Sequence, residues 1–258
     1  MQSNYCIVFL THILRSDIID RFNLIYKSMH DKCDVFLAIH SDIERRKNVV
    51  EYKNTYWFSL KDLHSLGYRP HGGTLMHNTN YMMQKFRKDH PNYDYYWFVE
   101  YDVVFRGEWN VLFDYYADKG YDFIASHIEF KTEKNKDWFW WDKTNWNHVA
   151  LPKRVVLKSF DPICRYSGRA LDFLDGFLKK GMCGHFENIL ATALHNYNYS
   201  LCDMGKGYPF SEKESDATVY FYDPEKGVNN GTIRWRPEFT MDDVKNYEKE
   251  NILFHPVK

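Results

Sequence analysis

The chain has 258 residues, with 34 Lys plus Arg against 35 Asp plus Glu and a formal charge of −1. This balance excludes a dedicated nucleic-acid binder, which carries a basic excess, and a hydrophobic content of 44 % excludes a disordered chain. Aromatic residues make up 18 %, and Tyr and Trp combine a flat apolar face with a polar tip that suits both cores and sugar-stacking surfaces.

The first half of the chain alternates strand-like and helix-like segments. The predicted strands are residues 5–11, 33–39, 56–59, 95–99 and 123–126, and the predicted helices are residues 18–29 and 72–88. Ser16-Asp17 is the expected N-cap of the first helix. This alternation favours a mostly parallel central sheet flanked by helices, with right-handed crossovers, which is an α/β fold of the Rossmann type.

The second half is less regular. Residues 129–150 are polar and rich in tryptophan, residues 167–180 and 187–196 are predicted helices, and residues 199–203 are a short predicted strand. Residues 205–237 have the composition of a loop, and a short helix is expected near residues 242–250. Because no linker or repeat interrupts the chain, we expect one domain over residues 1–258.

The apolar runs and the cysteines indicate in which cellular compartment the protein is expected. No run reaches the roughly 18 apolar residues of a membrane helix, so we expect no transmembrane segment. The 5 cysteines form no CxxC pair, which is typical of reduced thiols without a zinc site. We therefore expect a cytoplasmic protein, or one peripheral to the inner face of the membrane.

Polar side chains follow several of the predicted strands. In an open α/β sheet, ligands bind beyond the carboxyl ends of the strands, and Glu100-Tyr101-Asp102 stands at the end of the most apolar strand. The two carboxylates repel each other unless a cation lies between them. Oxygen ligands at this spacing suit Mg²⁺ or Mn²⁺, which also bind phosphates. The alternative is a solvated acidic turn.

Four short motifs together resemble the nucleotide-sugar glycosyltransferases of the GT-A fold. Glu100-Tyr101-Asp102 is similar to the family's Asp-x-Asp motif, with Glu in place of the first Asp. The other three motifs, in the family's order, are the Gly-rich turn His71-Gly72-Gly73-Thr74, the acidic helix start Gly184-His185-Phe186-Glu187-Asn188, and the late histidine of His255-Pro256-Val257-Lys258. The resemblance spans the chain from about residue 5 to residue 258.

The resemblance implies a function and a division of the chain. The activity would be metal-dependent transfer of a sugar from a nucleoside-diphosphate sugar, with UDP-sugars favoured, to a hydroxyl of a glycan or lipid-linked acceptor, as in polysaccharide biosynthesis. Transfer would proceed with inversion, because Glu187 resembles a base rather than a nucleophile. Residues 1–128 would bind the nucleotide sugar and residues 129–258 the acceptor.

The resemblance also implies roles for individual residues. The expected ligands of Mn²⁺ or Mg²⁺ are Asp102, Glu100 and His255. The expected nucleotide-sugar-binding residues are Thr11, His12, His40, Gly73, Glu100, Tyr101 and Lys258. The expected acceptor-binding residues are Trp140, Trp141 and Arg165, and Arg165 is also a candidate partner of phosphate oxygens. Glu187 is the expected general base, kept ionised by the dipole of its helix start.

Other interpretations stay open. A nucleotidyltransferase of related fold also binds metal and nucleotide, although residues 11–15 lack the glycine of its usual loop. A sugar-binding module without catalysis would need neither Glu-x-Asp nor the late histidine. For single residues, Glu187 is alternatively a first-turn acid, His255 a residue without a ligand role, and the tryptophans packing for a loop.

Overall fold

The computed structural model describes residues 4–42, 54–72, 78–213, 219–223 and 229–258. The strands are β1 (Tyr5–Thr11), β2 (Asp34–His40), β3 (Thr55–Phe58), β4 (Tyr95–Glu100), β5 (Val104–Arg106), β6 (Phe123–Phe130), β7 (Leu157–Ser167), β8 (Leu201–Asp203) and β9 (Ile252–Phe254). The helices are α1 (Ser16–Met29), α2 (Leu60–His64), α3 (Thr79–Asp89), α4 (Trp109–Ala117), α5 (Gly168–Lys179), α6 (Phe186–Asn196) and α7 (Met241–Asn246). None of these described helices is long and apolar enough to cross a membrane.

The central sheet has seven strands in the order β3-β2-β1-β4-β7-β6-β8. All neighbours are parallel except for β7, which is antiparallel to both β4 and β6. A separate two-stranded sheet pairs β5 with β9. The predicted fold class, a mostly parallel sheet flanked by helices, is therefore confirmed.

Helices cover both faces of the sheet, which explains the uninterrupted apolar strands. In β1, Val8 and Leu10 pack in the core formed with α3, α5 and α6, whereas Ile7 and Phe9 pack against α1 and α4. A strand buried on both faces reads as a continuous apolar run rather than an alternating one. The polar residues that follow such a strand therefore lie where the carboxyl ends of the strands meet.

Most predicted elements are present, with a few corrections. Helix α1 begins at Ser16 and its N-cap position is Arg15, whose side chain makes no capping bond, so the predicted Ser16-Asp17 cap is wrong. The Arg15 guanidinium instead pairs with Asp17 in the first turn. The helix expected from Gly72 is observed as α3 from Thr79, and Gly73 lies outside the described residues.

Several of the observed strands and helices were not predicted from the sequence. The long strand β7 was not predicted, because Lys158, Asp161 and Arg165 interrupt its apolar pattern although all three are buried. Helices α2 and α4 and the pair β5–β9 were also not predicted. Strand β6 crosses the expected boundary between residues 128 and 129, so both halves contribute to the sheet. The assignment of those halves to donor and acceptor stays a prediction.

Candidate functional site

A cavity of about 770 Å³ runs along the edge of the sheet where β1 to β4 end and antiparallel β7 begins. The described residues that line it include ten of the predicted site residues: Thr11, His12, His40, Glu100, Tyr101, Asp102, Trp140, Glu187, His255 and Lys258. Trp141 and Arg165 are not among its lining residues. Gly73 lies outside the described part of the chain.

Three of these residues form a compact cluster of possible metal ligands. One ligand atom from each of Glu100, Asp102 and His255 lies within 4.8 Å of the other two. His255 Nε2 is 3.5 Å from Asp102 Oδ1 and 3.8 Å from Glu100 Oε2. The pairing of β5 with β9, in which Val104 lies opposite Phe254, brings the distant histidine to the acidic turn.

A hydrogen bond of His255 shows which of its two ring nitrogens carries the hydrogen. Nδ1 lies 3.0 Å from the Arg234 carbonyl oxygen. A carbonyl can only accept, so Nδ1 carries the hydrogen and a neutral ring keeps its lone pair on Nε2. Burial lowers the pKa of His255, which favours that neutral ring. This is the arrangement found for metal-binding histidines, whose other nitrogen donates to a carbonyl or carboxylate.

The environment of the two carboxylates also bears on cation binding. Asp102 Oδ1 is buried and has no hydrogen-bond partner among the described residues. Burial, together with the nearby carboxylates of Asp102 and Asp161, raises the pKa of Glu100 to about 8. A cation stabilises carboxylate oxygens and an imidazole nitrogen lone pair that face one another in this way. The three side chains therefore fit a divalent cation, and a set of two oxygens and one nitrogen suits Mn²⁺ somewhat better than Mg²⁺.

The residues next to this cluster are held by local contacts. Lys258 Nζ lies 3.6 Å from Asp102 Oδ2 and 3.5 Å from the Tyr101 hydroxyl. The His12 ring meets Tyr101 edge to face at a centroid distance of 4.9 Å. The Thr11 hydroxyl donates to the Ile13 carbonyl at 2.7 Å and accepts from the Ile13 amide at 2.9 Å, so much of its hydrogen-bonding capacity stabilises the turn after β1.

On the neighbouring strands, His40 lies at the end of β2. Its ring stacks on Phe58 at a centroid distance of 5.3 Å, and its Nε2 is 3.3 Å from Asp42 Oδ2. Leu10 and Phe58 belong to the core on the α3 and α6 side of the sheet. His40 therefore lines the cavity beside the apolar side chain of Phe58.

Glu187 lies in the first turn of α6 and lines the cavity, with 12 % of its side chain exposed. Its Oε2 is 3.6 Å from His185 Nδ1. Burial raises its pKa well above the usual range, and the carboxylates of Asp161 and Glu100 raise it further. The expectation that the helix dipole keeps its pKa low is therefore wrong. A helix start contributes roughly 0.3–1 kcal/mol at an exposed position, and here burial beside two carboxylates outweighs it.

The predicted acceptor residues divide into one that lines the cavity and two that do not. Trp140 lines it, with one ring face stacked on His185 at 4.3 Å. Trp141 is buried instead, and its indole N–H donates to the Asn135 carbonyl at 2.6 Å, so its predicted role in acceptor binding is wrong. Its neighbour Trp138, one of the tryptophans of residues 129–150 considered for acceptor binding, lines the cavity.

Arg165 is the clearest correction. Its guanidinium donates to the main-chain carbonyls of Tyr116, Lys119 and Tyr121, and only 1 % of the residue is exposed. Strand alternation turns it toward α4, on the opposite face of the sheet from Glu187. It therefore satisfies carbonyls at and after the end of α4 and does not line the cavity in which phosphate or acceptor was expected.

Sequence reasoning missed several lining residues: Lys158, His185, Phe186, Trp235 and Arg236. Lys158 is 3 % exposed and its Nζ lies 3.4 Å from Glu129 Oε2. No pattern in the sequence distinguishes it from an exposed lysine. Trp235 and Arg236 could have been found, because an aromatic residue between two arginines at 234–236 is an unusual composition for a loop.

The fold and the site together define an α/β chain with a Rossmann-type sheet and a carboxylate–histidine cluster at its carboxyl edge. No protein-family model matches the sequence, and no curated protein matches it. Among solved structures, it is similar to the galactosyltransferase LgtC in complex with donor and acceptor sugar analogues, at 10 % identity over 78 % of this chain and 73 % of that one, with a TM-score of 0.45.

Two other solved structures have a similar fold. Mouse xyloside xylosyltransferase 1 matches at 7 % identity over 99 % of this chain and 97 % of its own, with a TM-score of 0.44. A chain assigned as a glucose-1-phosphate thymidylyltransferase from Bacillus anthracis matches at 9 % identity over 75 % and 94 %, with a TM-score of 0.38.

Proposed function

We propose that the chain is a metal-dependent glycosyltransferase that moves a sugar from a nucleoside-diphosphate sugar, with UDP-sugars favoured, to a hydroxyl of a glycan or lipid-linked acceptor. The observation that carries this proposal is the convergence of Glu100, Asp102 and His255 at one end of a large cavity. A module that only binds sugars has no need of such a cluster.

The proposed metal ligands are Asp102, Glu100 and His255, with Mn²⁺ or Mg²⁺ as the ion. A divalent cation supplies Lewis-acid stabilisation of the negative charge that develops on the departing nucleoside diphosphate. The Lys258 ammonium, 3.6 Å from Asp102, is placed to pair with phosphate oxygens close to that ion. The Arg234 carbonyl orients the His255 ring toward the carboxylates.

The nucleoside is proposed to bind beside Thr11, His12 and Tyr101, between the ends of β1 and β4. The His12 and Tyr101 rings, which meet edge to face, form an aromatic surface next to Lys258. This places the nucleoside and the diphosphate on neighbouring parts of one wall. His40 was also predicted to bind the nucleotide sugar, and it remains part of the proposed donor site because it lines the same cavity.

Glu187 is proposed to accept the proton of the acceptor hydroxyl in an inverting transfer. Its raised pKa makes the ionised carboxylate a stronger base, and it also means that the ionised fraction increases with pH. Lys158 favours the ionised form through its positive charge. Trp140 and Trp138 form the proposed acceptor wall beyond His185, in the half of the chain after residue 128.

We place this activity in polysaccharide biosynthesis in the cytoplasm, or at the inner face of the membrane if the acceptor is linked to a lipid. These placements follow from the proposed substrates and from the cysteine usage. They are testable by fractionating cells and asking whether the protein sediments with membranes or stays in the supernatant.

The proposal is tested by incubating the protein with a panel of nucleoside-diphosphate sugars and following release of the nucleoside diphosphate. Release is expected with Mn²⁺ or Mg²⁺, and it should stop with a chelator and in Asp102→Asn. The exposed change Asp20→Asn on α1 serves as the control. Pyrophosphate formation from a sugar phosphate and a nucleoside triphosphate would identify a nucleotidyltransferase instead. Sugar binding without any turnover would identify a binding module.

A further inference from the structure

The turn that carries Glu100 and Asp102 and the segment that carries His255 are far apart in the sequence, so the metal cluster depends on the contacts that join them. One contact is made by the main chain, since the Val257 amide donates to the Asp102 carbonyl at 2.9 Å. The pairing of β5 with β9 adds a second link beside it. A third link comes from a side chain of α1.

Arg21 makes that third link. Its Nη1 donates to the Tyr101 carbonyl at 3.1 Å and to the Val257 carbonyl at 3.0 Å. One nitrogen therefore bridges the acidic turn and residues 255–258. Arg21 lies outside the set of described residues that line the cavity, so it is not placed to contact a substrate.

The position of Arg21 on α1 explains why its side chain is held in place for these two hydrogen bonds. Its neighbours Ile18, Phe22 and Ile25 are buried against the sheet, which fixes α1 on this face. Arg21 itself is half-buried, and this burial lowers its pKa while the charges of Asp17 and Asp102 raise it. A guanidinium stays charged in proteins, so both carbonyl contacts are charge-assisted hydrogen bonds.

We propose that Arg21 is a positioning residue of the metal site, which holds the Glu100–Asp102 turn and residues 255–258 at the separation at which Glu100, Asp102 and His255 bind one divalent cation. This inference rests on the metal site of the proposed function. Ligand positions must be held within about 0.5 Å for a productive site. Residues that orient metal ligands from outside typically account for roughly 10–100-fold in metal affinity.

Arg106 provides a matched control. It is also half-buried, and it also donates to main-chain carbonyls late in the chain, namely those of Val244, Lys245 and Lys249. These carbonyls belong to α7 and the loop after it, away from the acidic turn. Arg106 lies in β5, but its side chain makes none of the three contacts named above, so Arg106→Met removes a comparable set of side-chain bonds and leaves the main-chain pairing of β5 with β9 in place.

The experiment measures Mn²⁺ affinity directly, by titrating chelator-treated protein and following free Mn²⁺ by its electron paramagnetic resonance signal. Arg21→Met, which keeps the apolar stem, is expected to bind Mn²⁺ roughly 10–100-fold more weakly than the unaltered protein. Arg106→Met is expected to keep the unaltered affinity. Arg21→Lys should recover most of the loss, because one ammonium can donate to both carbonyls. Should Arg21→Met not fold, Arg21→Leu, which likewise has no donor, replaces it with the same expectation.

Unfolding midpoints in chelator separate loss of the site from loss of the fold, since both methionine variants should shift the midpoint by a similar amount. An unchanged Mn²⁺ affinity in folded Arg21→Met, or an equal loss in Arg106→Met, would overturn the role of Arg21 while leaving the metal site in place. Absence of Mn²⁺ binding by the unaltered protein would overturn the metal site, and the role of Arg21 with it.

Discussion

Replacing Asp161 by asparagine is expected to change how the stability of the protein depends on pH. Asp161 lies in β7 with 2 % of its surface exposed, and its Oδ1 has no hydrogen-bond partner among the described residues. Burial raises its pKa from 3.8 to about 7. The unfolded chain therefore loses this proton at a lower pH than the folded protein does. Asp161 stabilises the fold most below its unfolded pKa, and this contribution is lost as the pH rises toward about 7.

The magnitude follows from that interval. Over each pH unit in which Asp161 is ionised in the unfolded chain but protonated in the folded protein, the free energy of unfolding falls by ~1.4 kcal/mol. Between about pH 5 and about pH 8, the unaltered protein should lose about 3 kcal/mol through Asp161, whereas Asp161→Asn has no proton to lose. The difference in stability, variant minus unaltered protein, should therefore rise by about 3 kcal/mol over this range. It should begin negative, because the amide buries an N–H without a partner.

The assay is urea unfolding of both proteins at the two pH values, with Asp20→Asn at an exposed position of α1 as the control. Using the difference between the two proteins cancels the titration of groups that the substitution leaves unaffected, whereas Glu187, whose pKa Asp161 raises, adds to the rise in the same direction. A difference in unfolding free energy that stays constant with pH would refute the reasoning, since it would mean that Asp161 is ionised in the folded protein throughout.

Two further predictions concern the site. His255→Ala should weaken binding of a nucleoside diphosphate with Mn²⁺ present and leave it unchanged in chelator; calorimetry giving equal affinities in both conditions would remove His255 from the metal site. Glu187→Gln should lower transfer by roughly 10²–10⁴-fold with unchanged donor affinity, and the rate of the unaltered enzyme should rise with pH toward the raised pKa of Glu187, because the ionised form is the base. Near-normal turnover of Glu187→Gln, or a product that retains the donor's anomeric configuration, would contradict the inverting role.

The fold was predictable because its parallel strands are buried on both faces. Strands such as β1 and β4 are continuous apolar runs, and each ends in polar residues, so both their positions and their functional ends can be read from the sequence. Strand β7 could not be found in this way. Its Lys158, Asp161 and Arg165 look like surface residues, and their burial depends on partners such as Glu129 that only the folded chain brings near.

The candidate site was predictable where its residues are close in sequence. Glu100 and Asp102 are two residues apart after a strand, so the spacing alone suggests a cation site. His255 was predicted only from the resemblance to a known family. The pairing of β5 with β9 that brings it to the turn joins distant segments, and no local sequence pattern indicates it. Arg165 was predicted to bind the acceptor or phosphate because its strand was not predicted. Without that strand, the alternation that turns its side chain toward α4 cannot be read from the sequence.

The behaviour of Glu187 shows why residue type and helix position do not determine a chemical role. From the sequence, a carboxylate at a helix start should be easily ionised. In the fold, the same carboxylate lies beside Asp161 on β7 and Glu100 on β4, and both raise its pKa. Removing the charge of Asp161 should therefore lower the pKa of Glu187 as well as stabilise the protein at neutral pH. If Glu187 is the base, the rise in rate with pH should occur at lower pH in Asp161→Asn than in the unaltered enzyme. The buried carboxylate that costs stability would then be the one that sets the working pH of the site.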